Sequence, residues 1–271
     1  MDEPLREKRI LVTRARAQAR PFAARLEAEG ATPVCFPTLR FAPMPDAAPL
    51  DAALARLDAY DLLLFTSANG VRFFMERVEA LGAHVPEHLD IAAVGPATAQ
   101  ALRRRGLRAS FVPDAFTAER LAEGLGDVSG RAVLLPQAEI ARTTLARTLT
   151  DAGARVDAVA VYRTLPAQPT PSERAALDAG VDVVTFASPS SARAFVALLG
   201  DRARTLSGTT LVACIGPVTA AAADELGLDP GLVPDTHTTE GLIAALIEHF
   251  AHAGSVSRIG RTVPLFPTNE S

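Results

Sequence analysis

Tryptophan is absent from this chain, and tyrosine occurs only twice, against twelve phenylalanines. With so few large aromatics, the apolar volume of its 271 residues, 48% of them hydrophobic, must come from alanine, leucine and valine, which suits helices packed on a parallel sheet. Only two cysteines are present, Cys35 and Cys214, each inside an apolar run that reads as a strand. This excludes a disulfide scaffold and points to two buried free thiols in a reducing compartment. No apolar run reaches the ~18 residues of a membrane-spanning helix, and Met1–Arg9 is charged, without the apolar stretch of a signal peptide. A cytoplasmic protein with no membrane partner is expected. The net charge is -4, so there is no general basic field for a nucleic acid. A glycine fingerprint after a strand, a P-loop and a Cys/His cluster with metal spacing are all missing. His84 and His88 are four apart, but Pro86 between them bars a helical metal pair. No cofactor and no metal are expected.

An internal repeat is what the chain does have. Tyr60–Val78 laid over Val181–Leu199, an offset of 121 residues, brings Asp61 onto Asp182, Phe65 onto Phe186, Ser67 onto Ser188, Arg72 onto Arg193 and Phe74 onto Phe195. The same offset sets Gly95-Pro96-Ala97-Thr98-Ala99 on Gly216-Pro217-Val218-Thr219-Ala220, and Thr117-Ala118-Glu119 on Thr238-Thr239-Glu240. Arg9–Gly30 matches Arg131–Gly153 at an offset of 122 to 123. Several matches in one order imply two copies of one unit.

Each copy alternates short apolar runs with helical spacing. The first run, Ile10–Val12, precedes a helix over Arg16–Glu29 ended by Gly30. Val34–Phe36 reads as a strand, Leu50–Leu57 as an amphipathic helix, Leu62–Phe65 as a buried strand and Gly70–Ala80 as a helix. Ile91–Val94 then reads as a strand, Thr98–Arg105 as a helix, Phe111–Val112 as a strand and Thr117–Leu125 as a helix. Such alternation predicts parallel sheets covered on both faces. Cys35–Pro49 and Val159–Pro171 break the pattern at equivalent places, and their prolines stiffen them into extended connectors between two domains. The stretch from about Ala251 to Ser271 has Gly, Ser and Pro without a helical period and reads as a disordered tail.

In open parallel sheets, ligands bind beyond the carboxyl ends of the strands, where the repeated motifs fall. Ser67 and Ser188 follow strands as candidate N-caps, and Pro189 suits the first helical position. Gly95 and Gly216 allow close approach of a ligand or backbone, and Thr98 and Thr219 sit in the first turns behind them. Thr117 and Thr238 form a third pair, with Glu119 and Glu240 in the favourable first turn. Arg14 and Arg16 after the first strand could pair with carboxylates, and His237 beside Thr238 could touch an anion. Helix N-termini present free N–H groups to carboxylates or phosphates; the alternative is that each hydroxyl only caps its own helix. Tyr162 stands in the second connector, where a phenol could give a proton or hydrogen bond to a leaving hydroxyl, or simply pack.

These motifs together resemble the uroporphyrinogen-III synthase family from about Arg9 to Phe250. The resemblance rests on VTRAR (12–16), FTSANGV (65–71), AVGPATA (93–99), VYRT (161–164), FASPSSARAF (186–195), IGPVTA (215–220) and HTTEGL (237–242). It implies an α/β fold of two similar parallel-sheet, flavodoxin-like halves joined by a two-stranded connector, with a cleft between them. It implies that the chain crosses twice: residues 1–38 with 166–250 in one domain, 39–165 in the other. The implied substrate is hydroxymethylbilane, closed with loss of water and inversion of ring D through a spiro intermediate, by a monomer. Tyr162 matches the tyrosine thought to assist hydroxyl departure. Thr98, Thr219, Thr66, Ser67, Ser188 and Ser190 match cleft-lining groups. Thr13, Arg14, Ala68, Gly95, Gly216 and Thr238 complete the expected substrate-binding set. Gln137 stands where many relatives carry arginine, with Arg142 a substitute, and Ala187 stands opposite Thr66, so the halves are unequal binders. A two-lobed metabolite-binding or regulatory protein of the same fold is the alternative.

Overall fold

A computed structural model describes residues 4–113, 124–141 and 143–257. In chain order its strands are β1 (Arg9–Val12), β2 (Thr32–Cys35), β3 (Leu39–Pro43), β4 (Leu62–Phe65), β5 (Asp90–Ala93), β6 (Ala132–Ala138), β7 (Arg155–Pro166), β8 (Val183–Phe186), β9 (Leu211–Cys214) and β10 (Pro230–Leu232). They form two sheets, ordered β10-β9-β8-β1-β2 and β3-β7-β6-β4-β5. The chain divides correspondingly into two units, Met1–Arg40 with Pro166–Ser271 and Phe41–Leu165.

The repeat in the sequence reappears as a repeat in topology. β4 and β5 pair in parallel as β8 and β9 do, and Leu62↔Val133 is matched by Ile10↔Val183. The isolated bridge Ala92↔Phe111 lies where Ala213↔Leu232 pairs β9 with β10. Both sheets therefore follow one order, the flavodoxin-like 2-1-3-4-5 arrangement apart from where the chain enters it; β3 is the addition, beside β7. Matching register also fixes which residues are equivalent: Val133 corresponds to Ile10, so Gln137 corresponds to Arg14.

Both faces of each sheet are buried, as parallel sheets require. In the first unit Leu11, Val184 and Phe186 pack with Phe195 and Leu228, while Ile10, Val12 and Val183 pack with Phe22, Leu26 and Leu246. In the second, Leu63, Phe65 and Leu134 pack with Phe73 and Phe74, while Leu62, Leu64, Val133 and Leu135 pack with Leu145 and Leu149.

Several helices begin earlier than hydrophobic periodicity suggests, because polar caps and prolines set their starts. Helix α1 spans Arg16–Ala28 and α2 spans Ala48–Leu54, with a 3-10 turn at Leu57–Ala59 in place of its expected last turn. Helix α3 runs Ala68–Ala80, capped by Ser67 Oγ accepting from Gly70 N at 3.0 Å. Helix α4 runs Pro96–Arg103, with proline in its first turn. The expected strand at Phe111–Val112 is reduced to that single bridge. Most of the helix expected over Thr117–Leu125 falls outside the described residues. The tail reading needs correction at its start: the last helix continues through Thr239–Ser257, with Leu242, Ile243 and Leu246 buried against the first sheet. Residues 258–271 lie outside the described residues. Among the described residues, no helix is long and apolar enough to cross a membrane. Both cysteines are free: Cys214 is buried, which pushes its thiol up to about 12, and burial raises that of the partly buried Cys35.

Strand β7 contains an irregularity that matters for the site. Gln137 pairs with Ala160, but Ala138 pairs with Tyr162, so Val161 is an extra residue on β7, a bulge. Neighbours on a regular strand point to opposite faces, yet Val161 and Tyr162 belong to the same core cluster. The bulge thus turns Tyr162 to the α3 face of the sheet.

At the other end of this sheet, Tyr60 donates its hydroxyl to Asp157 Oδ2 at 2.5 Å, and Arg56 reaches the same oxygen at 2.8 Å. Burial first, then the Asp157 carboxylate, pushes the Tyr60 phenol up to about 12. Since the folded value exceeds the ordinary one of about 10, the resulting stabilisation is complete below pH ~10 and is lost as pH rises through the folded value. Urea midpoints of the wild type and Tyr60→Phe should therefore differ most near pH ~8 and converge between the ordinary value of about 10 and the folded value of about 12. A constant difference over that range would show that the hydroxyl does not couple to Asp157.

Candidate functional site

Right-handed crossovers between parallel strands put the starts of the helices that directly follow β1, β4, β5, β8 and β9 at the carboxyl edge of their sheet. The motifs found by repeat collect there, in each unit separately. In the second unit the edge carries Thr66, Ser67 and Ala68 after β4, and Gly95 and Thr98 after β5. In the first it carries Thr13 and Arg14 after β1, Ser188 and Ser190 after β8, and Gly216 and Thr219 after β9.

Many of the hydroxyls do cap their own helices. Ser67 caps α3, and Ser188 accepts from Ser191 N at 3.2 Å in a capping box at the start of helix Pro189–Leu199, with Ser190 Oγ 3.0 Å away. Thr238 accepts from Gly241 N at 3.0 Å at the head of the last helix. Glu240 follows in that turn, its carboxyl held below the usual range first by a backbone N–H and also by Arg25. Thr13 needs correction as a ligand group. It is fully buried, and its hydroxyl donates to Thr185 O at 2.6 Å, knitting β1 to β8. Thr66 is exposed and makes no hydrogen bond among the described residues, whereas Ala187 fills its place in the first unit. Thr117, Glu119 and Arg142 lie outside the described residues.

Thr98 and Thr219 behave differently from the other buried hydroxyls. They are 5% and 4% exposed, and neither hydroxyl hydrogen-bonds to any of the described residues. The remaining buried serines and threonines among those residues, Thr13, Thr38, Thr185, Ser191 and Ser207, all donate to backbone carbonyls. The Thr98 and Thr219 oxygens are not themselves sealed from solvent, since the buried side-chain atoms without a partner among the described residues are the Nε atoms of Arg14, Arg72 and Arg163; each is an unpaired hydroxyl on a side chain otherwise packed away. The two occur at repeat-equivalent positions, each in the first turn behind a glycine. Gly216 is itself confined: a Cβ there would stand 3.1 Å from the His237 ring. The exposed His237 thus packs against the glycine turn.

Arg14 supplies charge at the first unit's edge. Its Nη1 donates to Thr239 Oγ1 at 3.0 Å, while its Nε is buried with no acceptor. Burial pulls its pKa below the ordinary arginine value, partly opposed by Glu240. Arg16, in contrast, is engaged by Glu173 at 2.7 Å. The equivalent place to Arg14 in the second unit is the uncharged Gln137.

Tyr162 is 7% exposed. Its ring stacks on Phe73 at 5.5 Å and 13°, and meets Phe41 edge-on at 5.8 Å. The ring packs, as one reading held, but the hydroxyl emerges at the strand edge, 3.2 Å from Ser67 Oγ. A phenol fixed on three sides with its oxygen at a helix start can give a hydrogen bond to a group bound there. Sequence reasoning overlooked Phe41 and Phe73, because only the bulge at Val161 brings the ring onto α3.

The chain matches the family model described as uroporphyrinogen-III synthase HemD over residues 20–244. It is 34% identical over 257 residues to the uroporphyrinogen-III synthase of Synechococcus elongatus, covering 90% of this chain and 96% of that one. It is 26% identical over 254 residues to that of Chlorobaculum parvum, covering 89% and 98%. A crystal structure of a mutant uroporphyrinogen III synthase from the extremely thermophilic bacterium Thermus thermophilus superposes with a TM-score of 0.60 at 26% identity, over 92% of this chain and 99% of that one.

The hydrogen bonding separates two kinds of threonine by stability. Thr98→Val and Thr219→Val should leave the urea midpoint nearly unchanged, within about 0.5 kcal/mol, because no bond is lost. Thr13→Val should cost about 1–2 kcal/mol, because it removes a donor from a buried carbonyl. Equal losses at all three would mean that Thr98 and Thr219 are structural.

Proposed function

Because the chain belongs to the uroporphyrinogen-III synthase family, we propose that it converts hydroxymethylbilane to uroporphyrinogen III, with Tyr162 as the catalytic group. It is an enzyme of porphyrin biosynthesis and a lyase. The observation that best supports a binding role for the sheet edges is the duplicated pair of unpartnered threonines, Thr98 and Thr219. Hydroxyls left unpaired by the protein at the sheet edge suit a ligand that completes their hydrogen bonds, and a chain bearing acetate and propionate groups offers many acceptors.

In this reading the carboxylates are taken by hydroxyls and free N–H groups at the helix starts: Thr66, Ser67, Ala68, Gly95 and Thr98 in one unit, and Ser188, Ser190, Gly216, Thr219 and Thr238 in the other. Arg14 supplies a cation. Thr13 is left out, its hydroxyl being spent within the sheet. Tyr162 hydrogen-bonds the hydroxyl that leaves ring A and helps it depart as water, leaving an azafulvene cation. Ser67 orients the phenol from 3.2 Å. Ring D attacks through its substituted carbon, the spiro intermediate fragments, and the ring recloses inverted. A proton lost from ring D balances the one gained by the departing hydroxyl, so one water is the net loss.

No redox change occurs in this sequence and no strong base is required, so the reaction proceeds without a cofactor or metal. The bilane closes unaided without inversion. What the protein must add is orientation, and holding reacting groups in place can account for most of a rate enhancement. The protein acts as a cytoplasmic monomer.

Purified protein given hydroxymethylbilane should yield mainly isomer III, measured by chromatography of the oxidised porphyrins; isomer I alone would overturn the reading. Tyr162→Phe should lower turnover on the order of a hundredfold, the scale of a single proton-transfer group. Its melting temperature should stay close to that of the wild type, since the ring and its stacking remain. Undiminished turnover would remove Tyr162 from the chemistry.

A further inference from the structure

We infer that Arg163 anchors a substrate carboxylate in the second unit, supplying there the cation that Arg14 supplies in the first. The inference rests on the reading of the sheet edges as substrate-binding edges. It begins from an orphaned donor. Arg163 is partly buried, its Nε is sealed from solvent, and no acceptor among the described residues lies within hydrogen-bond reach. No carboxylate of those residues forms an ion pair with it either. Other arginines of this unit are answered: Arg77 by Asp51 at 2.6 Å, Arg105 by Glu79 at 2.6 Å, Arg131 by Asp90 at 2.5 Å and Arg56 by Asp157 at 2.8 Å. Even Arg72, whose Nε is also buried, has Glu76 at 3.8 Å and the Phe73 ring 4.2 Å from its guanidinium carbon. A half-buried cation with no counter-charge is destabilising unless an anion from outside completes it.

The position of Arg163 tells where that anion would sit. Gln137 occupies in this sheet the place of Arg14, and so leaves the second edge without its cation. Arg163 stands on the neighbouring strand: Gln137 pairs with Ala160, and Ala138 with Tyr162. The two also share a face. Val133 and Leu135 lie in the cluster that contains Leu145 and Leu149, so alternation along β6 puts Gln137 on that face. Tyr162 lies in the opposite cluster, so the next residue, Arg163, returns to the face of Gln137. The same bulge that turns the phenol toward α3 thereby turns the guanidinium the other way. The charge at this edge has moved one strand over, from the Arg14-equivalent place to β7. Its ligand is a carboxylate, which a guanidinium can take in a two-pronged contact.

Arg163→Met keeps a long apolar stem and removes the charge; Arg163→Gln is the second variant. Both should raise the KM for hydroxymethylbilane about tenfold or more, the loss expected of a charged hydrogen bond, with kcat within twofold. The melting temperature should hold or rise, since an unanswered charge has gone. Gln137→Arg introduced on the Arg163→Met background should recover most of the affinity by returning the cation to its repeat-equivalent place. An unchanged KM in both variants would overturn the inference, as would a fall in melting temperature with a KM that Gln137→Arg does not restore. If isomer III is made and Tyr162→Phe is impaired while Arg163→Met binds normally, only the arginine's role falls.

Discussion

The structure depends on the direction of its strands. When neighbouring strands run parallel, each must be left by a crossover, and the crossovers all leave from the same edge. Every helix that returns across the sheet therefore begins at that edge, with its first N–H groups unpaired inside the helix. This is why a chain with a net charge of -4 can offer a set of anion-binding ends without a basic surface. The strands are short, four residues in β1, β4, β5, β8 and β9. The apolar core stops at Phe65, Ala93, Phe186 and Cys214; Thr66 and Ser188 follow within two residues of the first and third, and glycine-proline turns at Gly95-Pro96 and Gly216-Pro217 follow the second and fourth.

Duplication doubles that edge, and divergence then makes the copies unequal. The free hydroxyls Thr98 and Thr219 have been kept in both units, as have the capping serines Ser67 and Ser188. Charge has not: Arg14 answers to Gln137, while Tyr162 and Arg163 stand on a longer, bulged strand in the second unit alone. The two edges therefore differ in charge and in aromatic content, although their strand order and helix caps are shared.

The repeat was legible in the sequence because it is written in residues with backbone duties. Glycine and proline at Gly95-Pro96 and Gly216-Pro217, and serine before each helix, fix where strands stop and helices start, and such positions leave little choice of side chain. Hydrophobic periodicity located the elements but set helix starts late, because Ala68 and Pro96 belong to first turns that are not yet amphipathic. The topology followed once Leu62↔Val133 could be matched with Ile10↔Val183. What could not be read was the bulge. An extra Val161 among Val159, Val161 and Tyr162 leaves the strand pattern looking regular, although it reverses the face of everything after it. The stacking of Tyr162 on Phe73 and the isolation of Arg163 both follow from that one residue. Thr13 was misassigned for a related reason: a threonine at a strand end looks the same whether its hydroxyl faces a ligand or the next strand's carbonyl.

The bulge also explains how a single short segment holds a fixed phenol and, on the other face of the sheet, a cation unanswered among the described residues. Tyr162 is fixed by Phe41, Phe73 and Ser67, which gives its oxygen one place. In the role proposed for it, meeting a departing hydroxyl, the phenol benefits from that fixity, since misplacement by an ångström costs much of the rate. Arg163 needs the opposite property. The anion proposed for it sits on a flexible acetate or propionate arm, and Arg163 Nε has no acceptor among the described residues that would hold it to one place. Had a carboxylate of the protein answered Arg163, the fold would gain stability, and the edge would lose a charge available to the ligand. An unsatisfied donor beside a fully constrained ring is therefore what a site should contain when it must orient one group and hold several others.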